Sequence, residues 1–285
     1  MRNKIRPSVL KALLSGARYE VLPTTGAVDK VLESVAPGRT ITVTASAAKG
    51  LEATIDVAEV LSRNGYHAVP HLAARMIRDA HELRDISDRL AAAGIDSIFV
   101  PAGDATPPAG DFAASLDLLR CLAELDHPFR QIGIAGYPES HPFIADDVVS
   151  QALVDKRDYA TNIVSNLCFD PKLVTGWLDR LRSAGTGTPV LIGMPGPIER
   201  HKLLTMATKI GLGDSAKFLA KNRRLFTRIL APGGYGPERF ISGLAPALNS
   251  ERARVQGLHL YTFNQIAETE HWRRNWLDRL AAVTT

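Results

Sequence analysis

The sequence predicts an α/β chain folded as a (β/α)8 TIM barrel, with extra helices and a loop before the last strand. Three observations lead there. Eight short β-rich runs alternate with stretches of helical spacing, which implies βαβ units and a parallel sheet. Eight such units close on themselves rather than forming an open sheet. No linker-like change of composition interrupts them, so residues 1–285 read as a single domain, with 1–16 as a leading helical segment.

The runs are Arg18–Leu22, Thr40–Thr44, His67–Val69, Ser97–Pro101, Gln131–Ala135, Asn162–Cys168, Pro189–Ile192 and Gly257–Tyr261. Between them, Leu51–Asn64 carries apolar residues at Leu51, Ile55, Ala58 and Leu61 and stops at Gly65. Arg78–Ala93 carries Leu83, Ile86 and Leu90 and stops at Gly94. A glycine just past the last periodic residue suits a left-handed helix end. Asp170-Pro171 reads as an N-cap with proline at the first helical position. In the stretch Gly211–Ala253, two helical segments flank the loop Ala231–Pro237, an insertion ahead of the eighth strand.

Composition narrows the function classes. With 45% apolar and 22% charged residues the 285-residue chain can bury a large core. A net charge of +4 and no basic stripe argue against nucleic acid. No window reaches the roughly 18 uninterrupted apolar residues of a membrane span. Two cysteines, Cys121 and Cys168, form neither a disulfide framework nor a metal-ligand spacing and fit a reducing cytoplasm. There is no phosphate loop, no Gly-x-Gly-x-x-Gly turn and no His-Glu-x-x-His helix, so neither a nucleotide loop nor a metal is indicated.

Barrel enzymes carry their active sites at the carboxyl ends of the strands, and polar residues gather there. Glu20 lies within the apolar first strand and faces either the interior or the helix layer. A buried carboxylate is costly unless paired, and burial favours a proton donor near neutral pH; an ion pair with a Lys or Arg is the plain structural alternative. Thr44 ends the second strand, His71 the third, and Gly103-Asp104 the fourth, where Asp104 is also a candidate cap. Tyr137, Glu139 and His141 crowd the five residues that precede Pro142 after the fifth strand, more chemistry than a turn requires. Asn166 lies within the sixth strand and points inward if Ser165 and Cys168 do not. The run Lys221–Arg224 reads as a solvated helix face, and Trp272 with Trp276 as a packing pair on the last helix.

Five of these stretches, in order, resemble the methylenetetrahydrofolate reductase family along roughly residues 17–276. Tyr19-Glu20-Val21-Leu22-Pro23 is similar to its Phe-Glu-Phe-Phe-Pro, Val69-Pro70-His71-Leu72 to its Pro-His-Leu, and Ala102-Gly103-Asp104 to its Arg-Gly-Asp. Tyr137-Pro-Glu-Ser-His-Pro142 matches its Tyr-Pro-Glu-x-His-Pro, and His259-Leu-Tyr-Thr-Phe-Asn264 resembles its His-Phe-Tyr-Thr-Leu-Asn. The resemblance implies reduction of methylenetetrahydrofolate to methyltetrahydrofolate by NADH or NADPH, usually through bound FAD, in methionine biosynthesis. It implies that Glu20 protonates the pterin N5, that Asp104 is a second catalytic residue that contacts the pterin and tunes the site, that Asn166 contacts folate, and that Thr44, His71, Gly103, Tyr137, His141 and Lys156 line the cofactor. Glu139 is expected to anchor its loop.

The departures fall on the flavin positions. The family's Arg is Ala102, the aromatic after the strand-two Thr is Ala45, and the basic set after Pro142 is reduced to Lys156. Tyr159 adds bulk, and Glu199–His201 stands where the family has an aromatic. Each lost charge-assisted hydrogen bond forfeits about 1.5–3 kcal/mol. The expectation is a reductase with FAD weakly held or absent and direct hydride transfer from the nicotinamide. The alternatives are a folate barrel that handles one-carbon units without reduction, and a non-catalytic barrel. The basic stretch Lys217–Arg228 is a candidate for an acidic folate tail.

Overall fold

A computed structural model describes residues 4–141, 143–197 and 235–282. Eight parallel strands form one sheet in the order β3-β2-β1-β8-β7-β6-β5-β4. They are β1 Arg18–Val21, β2 Thr40–Val43, β3 His67–Pro70, β4 Ser97–Phe99, β5 Gln131–Gly136, β6 Asn162–Ser165, β7 Val190–Pro195 and β8 Val255–Tyr261. The remaining seam, between β3 and β4, is closed by a parallel bridge from His71 to Phe99 and the bond from Leu72 N to Phe99 O. The predicted barrel is therefore the observed one.

Ten α-helices are described: α1 Pro7–Ser15, α2 Ala27–Ser34, α3 Gly50–Arg63, α4 Ala80–Ala92, α5 Ser115–Ala123, α6 Asp146–Lys156, α7 Pro171–Ser183, α8 Pro237–Gly243, α9 Ala245–Leu248 and α10 Ile266–Ala282. Gly65 and Gly94 follow α3 and α4 with φ of 82° and 72°, the left-handed stops that the sequence predicts. Asp170 caps α7 by accepting from Lys172 N at 2.9 Å, with Pro171 as the first helical residue. Helices α8 and α9 lie on the carboxyl side of the expected loop, where the sequence predicts the second of the two flanking helical segments. The part of that insertion up to residue 234 lies outside the described residues, as do Glu199–His201, Lys217–Arg228 and Pro142. No helix among the described residues is long and apolar enough to cross a membrane.

Two strand ends differ from expectation by three residues, the others by one or two at most. The sixth strand stops at Ser165 instead of Cys168, because Ser165 Oγ takes Gly193 N from β7 at 2.7 Å and Cys168 Sγ bonds back to Asn166 O at 2.8 Å. The chain turns there instead of continuing the ladder. The seventh strand extends to Pro195 by pairing with β8 as far as Tyr261. Gly193 makes that approach possible. A Cβ there would sit 2.1 Å from Ser165 O and 2.8 Å from the Tyr261 ring.

The strand alternation sorts residues between the barrel interior and the helix layer. On β1, Tyr19 and Val21 are buried against the helices, while Arg18 and Glu20 take the opposite face. Tyr19 hydroxyl donates to Glu270 of α10, which also takes Arg273 Nε at 2.7 Å and Arg274 Nε at 2.6 Å. Arg273 in turn reaches Leu14 O of α1. This buried cluster clamps the leading and closing helices onto the strand that carries Glu20. Trp272 and Trp276 stack edge to face, and Trp272 Nε1 donates to Glu238 of α8 at 2.8 Å, a packing role as expected.

Candidate active site

Glu20 faces the barrel interior. Parallel register places it beside Thr42 of β2 and Tyr261 of β8. Its Oε2 lies 2.9 Å from His259 Nε2 and 3.7 Å from His71 Nε2. No Lys or Arg pairs with it among the described residues, so the outer-layer ion pair is not what the structure shows. Its other oxygen, Oε1, makes no hydrogen bond among the described residues. The side chain keeps 14% of its surface exposed while His259 keeps 2%. One oxygen is thus held and the other is available at the mouth.

The backbone around Glu20 is laced to the end of β8. Thr262 Oγ1 donates to Glu20 O at 2.6 Å. Asn264 Oδ1 takes Leu22 N at 2.8 Å, and its Nδ2 donates to Leu22 O and Thr24 Oγ1. The Thr and Asn of the last-strand motif therefore position the first-strand acid by bonding its backbone neighbours.

The two imidazoles differ. His71 is buried and tilts against Phe99 at a centroid distance of 4.6 Å. Burial pulls its pKa down to about 4, a fall that Glu20 partly offsets and His259 reinforces. His71 is neutral at neutral pH. His259 packs edge-on against Tyr261 at 5.0 Å, and Tyr261 hydroxyl donates to Ser165 O at 3.2 Å. Burial, then Glu20, then Cys168 and Tyr137 hold the Tyr261 phenol well above its ordinary value.

A second group lies across the mouth. Tyr137 and His141 meet edge to face at 4.9 Å. Burial and then Asp104 raise the Tyr137 phenol, which places Asp104 within electrostatic reach of that ring. His141 Nδ1 accepts from Phe143 N at 3.2 Å, leaving Nε2 to carry the hydrogen. Glu139 Oε1 accepts from both Phe169 N and Asp170 N at 2.6 Å. It ties the β5 loop to the β6 loop, the anchoring role expected from sequence. Gly103 has φ of 86°, and a Cβ there would lie 2.9 Å from Ala73 Cβ; only glycine fits that turn.

Asn166 is half-buried after β6, and its backbone N donates to Gly136 O at 2.7 Å. Its side chain makes no hydrogen bond among the described residues. Thr44 is buried with Oγ1 unpartnered among the described residues. Lys156 is the last residue of α6, buried, with its pKa lowered by desolvation. No hydrogen bond or ion pair ties it to the other predicted site residues among those described. No cluster of metal-ligating side chains is present among the described residues.

Two of the positions that the sequence reading set against a flavin, Ala102 and Lys156, lie among the described residues. Ala102 offers a methyl group in place of a guanidinium. The nearby Arg75 spends Nε on Ala105 O at 2.7 Å and Nη1 on Ala113 O at 3.0 Å.

Sequence reasoning did not single out His259 and Tyr261 as site members. The signal was available. In a strand with period-two alternation, residues 259 and 261 share a face, and the family-like motif quoted above contains both.

The family model described as methylenetetrahydrofolate reductase matches residues 25–271. Methylenetetrahydrofolate reductase 2 of Saccharomyces cerevisiae is 29% identical over 93 residues, which are 31% of this chain and 16% of that protein. Among solved structures, a chain provisionally called a phosphonomutase from Burkholderia cenocepacia J2315 aligns with a TM-score of 0.49 at 12% identity, over 100% of this chain and 99% of that one. The 7,8-dihydropteroate synthase of Vibrio fischeri ES114 aligns with a TM-score of 0.43 at 12% identity, over 92% and 93% of the two chains.

Proposed function

The chain belongs to the methylenetetrahydrofolate reductase family, and from that premise we propose that it reduces methylenetetrahydrofolate to methyltetrahydrofolate, with Glu20 as the acid. Glu20 gives its proton to the pterin N5. The five-membered ring opens to an iminium, and the exocyclic methylene carbon becomes the hydride acceptor. A reduced nicotinamide, NADH or NADPH, supplies the hydride. Asp104 and Asn166 hold the pterin, Tyr137 and His141 form the wall on which the hydride donor lies, and Thr44 and His71 line its floor.

The observation that carries this reading is the environment of Glu20. A carboxyl can hand a proton to a substrate only from an oxygen that its neighbours leave open, and a fixed positive charge beside it would favour the ionised form. Here the neighbours are a neutral His71 and the buried His259, with no Lys or Arg among the described residues. General acid catalysis from such a position contributes about 10²–10⁴-fold.

The departures at the flavin positions support direct transfer from the nicotinamide. The protein's part is then to orient donor and acceptor and to place one proton. The test is oxidation of NADH and NADPH by the purified chain, with and without methylenetetrahydrofolate, alongside an absorbance spectrum. Folate-dependent oxidation by a colourless protein is expected. No folate-dependent oxidation refutes the reductase; stoichiometric flavin bands refute direct transfer.

A further inference from the structure

His259 approaches Glu20 from one layer deeper in the barrel. By register it lies beside Arg18 on β1, while Tyr261 lies beside Glu20. Its ring therefore leans toward the mouth to bring Nε2 within 2.9 Å of Oε2. Tyr261, tied to Ser165 O, packs against the imidazole and holds that tilt. On the other side, His71 at 3.7 Å is beyond hydrogen-bond length.

The far nitrogen decides the tautomer. His259 Nδ1 is buried and has no hydrogen-bond partner among the described residues. Buried N–H groups without an acceptor are rarer than buried acceptors without a donor. A hydrogen on Nδ1 would be such an orphan, so the stable arrangement places it on Nε2, directed at Glu20. Oε2 then accepts a hydrogen bond, and the transferable proton resides on Oε1, the oxygen that no described residue engages.

We propose that His259 is the positioning residue for Glu20, donating from Nε2 to Oε2 so that the proton is presented from Oε1 toward a ligand at the mouth. The orientation stands on geometry alone, and its catalytic consequence rests on the reductase reading. Among the described residues, the titratable groups facing Glu20 are His259 and Tyr261 from β8 and His71 from β3. Of these, only His259 is within hydrogen-bond distance of the carboxyl.

The test compares His259→Leu, which removes the donor, with His259→Gln, which places an amide N–H near the Nε2 position. Each is checked by thermal unfolding. If Leu prevents folding, His259→Asn, too short to reach Oε2, replaces it. The donor-free variant is expected to lose about 10²-fold in kcat, the scale of an ångström's misplacement, with KM for the folate within about threefold. The hydrogen bond favours the ionised carboxyl, so its loss moves the alkaline limb of the rate profile to higher pH. The Gln variant is expected to recover most of the rate and the parental limb.

Infrared difference titration of the Glu20 carboxyl band, assigned with Glu20→Gln, reads the same contact without turnover. Its midpoint is expected to rise in the donor-free variant and to return in the Gln variant. Unmoved midpoints overturn the proposal whether or not the chain reduces folate. Moved midpoints in a chain without reductase activity retain the positioning contact and remove its catalytic consequence. Equal defects in the Gln and donor-free variants overturn it as well.

Discussion

Replacing Glu270 by Gln should reveal how strongly the helix clamp behind the site holds the barrel together. Glu270 is 3% exposed and accepts from Arg273, Arg274 and Tyr19. Burial opposes its ionisation, but the hydrogen bonds from Arg273, Tyr19 and Arg274 overcome that and hold its pKa at about 2, against an ordinary 4.5. That drop corresponds to about 3 kcal/mol at roughly 1.4 kcal/mol per pH decade. A second route gives a similar figure: Arg273 is also 3% exposed, and stranding one partner of a buried ion pair costs about 3–5 kcal/mol.

The sign follows from the depressed value. The contribution is fully present above about pH 4.5 and is lost as pH falls through about 2, with roughly 1.4 kcal/mol left at pH 3. Urea unfolding of parent and Glu270→Gln, followed by tryptophan fluorescence at pH 7 and pH 3, measures it. The gap at pH 7 should be about 3 kcal/mol and should shrink by more than half at pH 3. A gap below about 1 kcal/mol at pH 7, or one that does not change with pH, refutes the reasoning.

Three other outcomes are expected. Glu20→Gln should lower folate-dependent nicotinamide oxidation by about 10²–10⁴-fold while unfolding at the parental temperature, since the amide oxygen still accepts from His259; a loss under tenfold would remove Glu20 from the chemistry. Glu139→Ala strips the acceptor from Phe169 N and Asp170 N, and should cost about 2–3 kcal/mol in denaturant unfolding, because water recovers part of the two bonds at this half-buried position. Gly193→Ala forces β6 and β7 apart around a Cβ placed 2.1 Å from Ser165 O, and a stability loss of about 1–3 kcal/mol is expected; unchanged calorimetric unfolding would show that the strands accommodate it.

Much of the architecture was legible from local pattern. The period-two strands, the left-handed glycines after α3 and α4, and the Asp170-Pro171 cap are written in neighbouring residues and appear as read. Glu139 as a loop anchor was also legible, through the family resemblance that assigns Tyr137 and His141 to ligand contact. The end of the sixth strand was not. Its apolar run continues to Cys168, but the competing hydroxyl of Ser165 captures a backbone N–H from β7, and no local rule anticipates a bond across 28 residues.

Alternation along β1 by itself determined that Tyr19 and Glu20 point to opposite sides, and residue type made Glu20 a candidate acid. Which side was interior, and what met the carboxyl there, only the closed barrel decided. His259 is 239 residues from Glu20 in sequence, and it reaches the acid because β8 closes against β1 in one particular register. Periodicity gives each strand a face, but strand stagger selects which residues of eight strands share a layer, and that stagger is a property of the whole ring of hydrogen bonds.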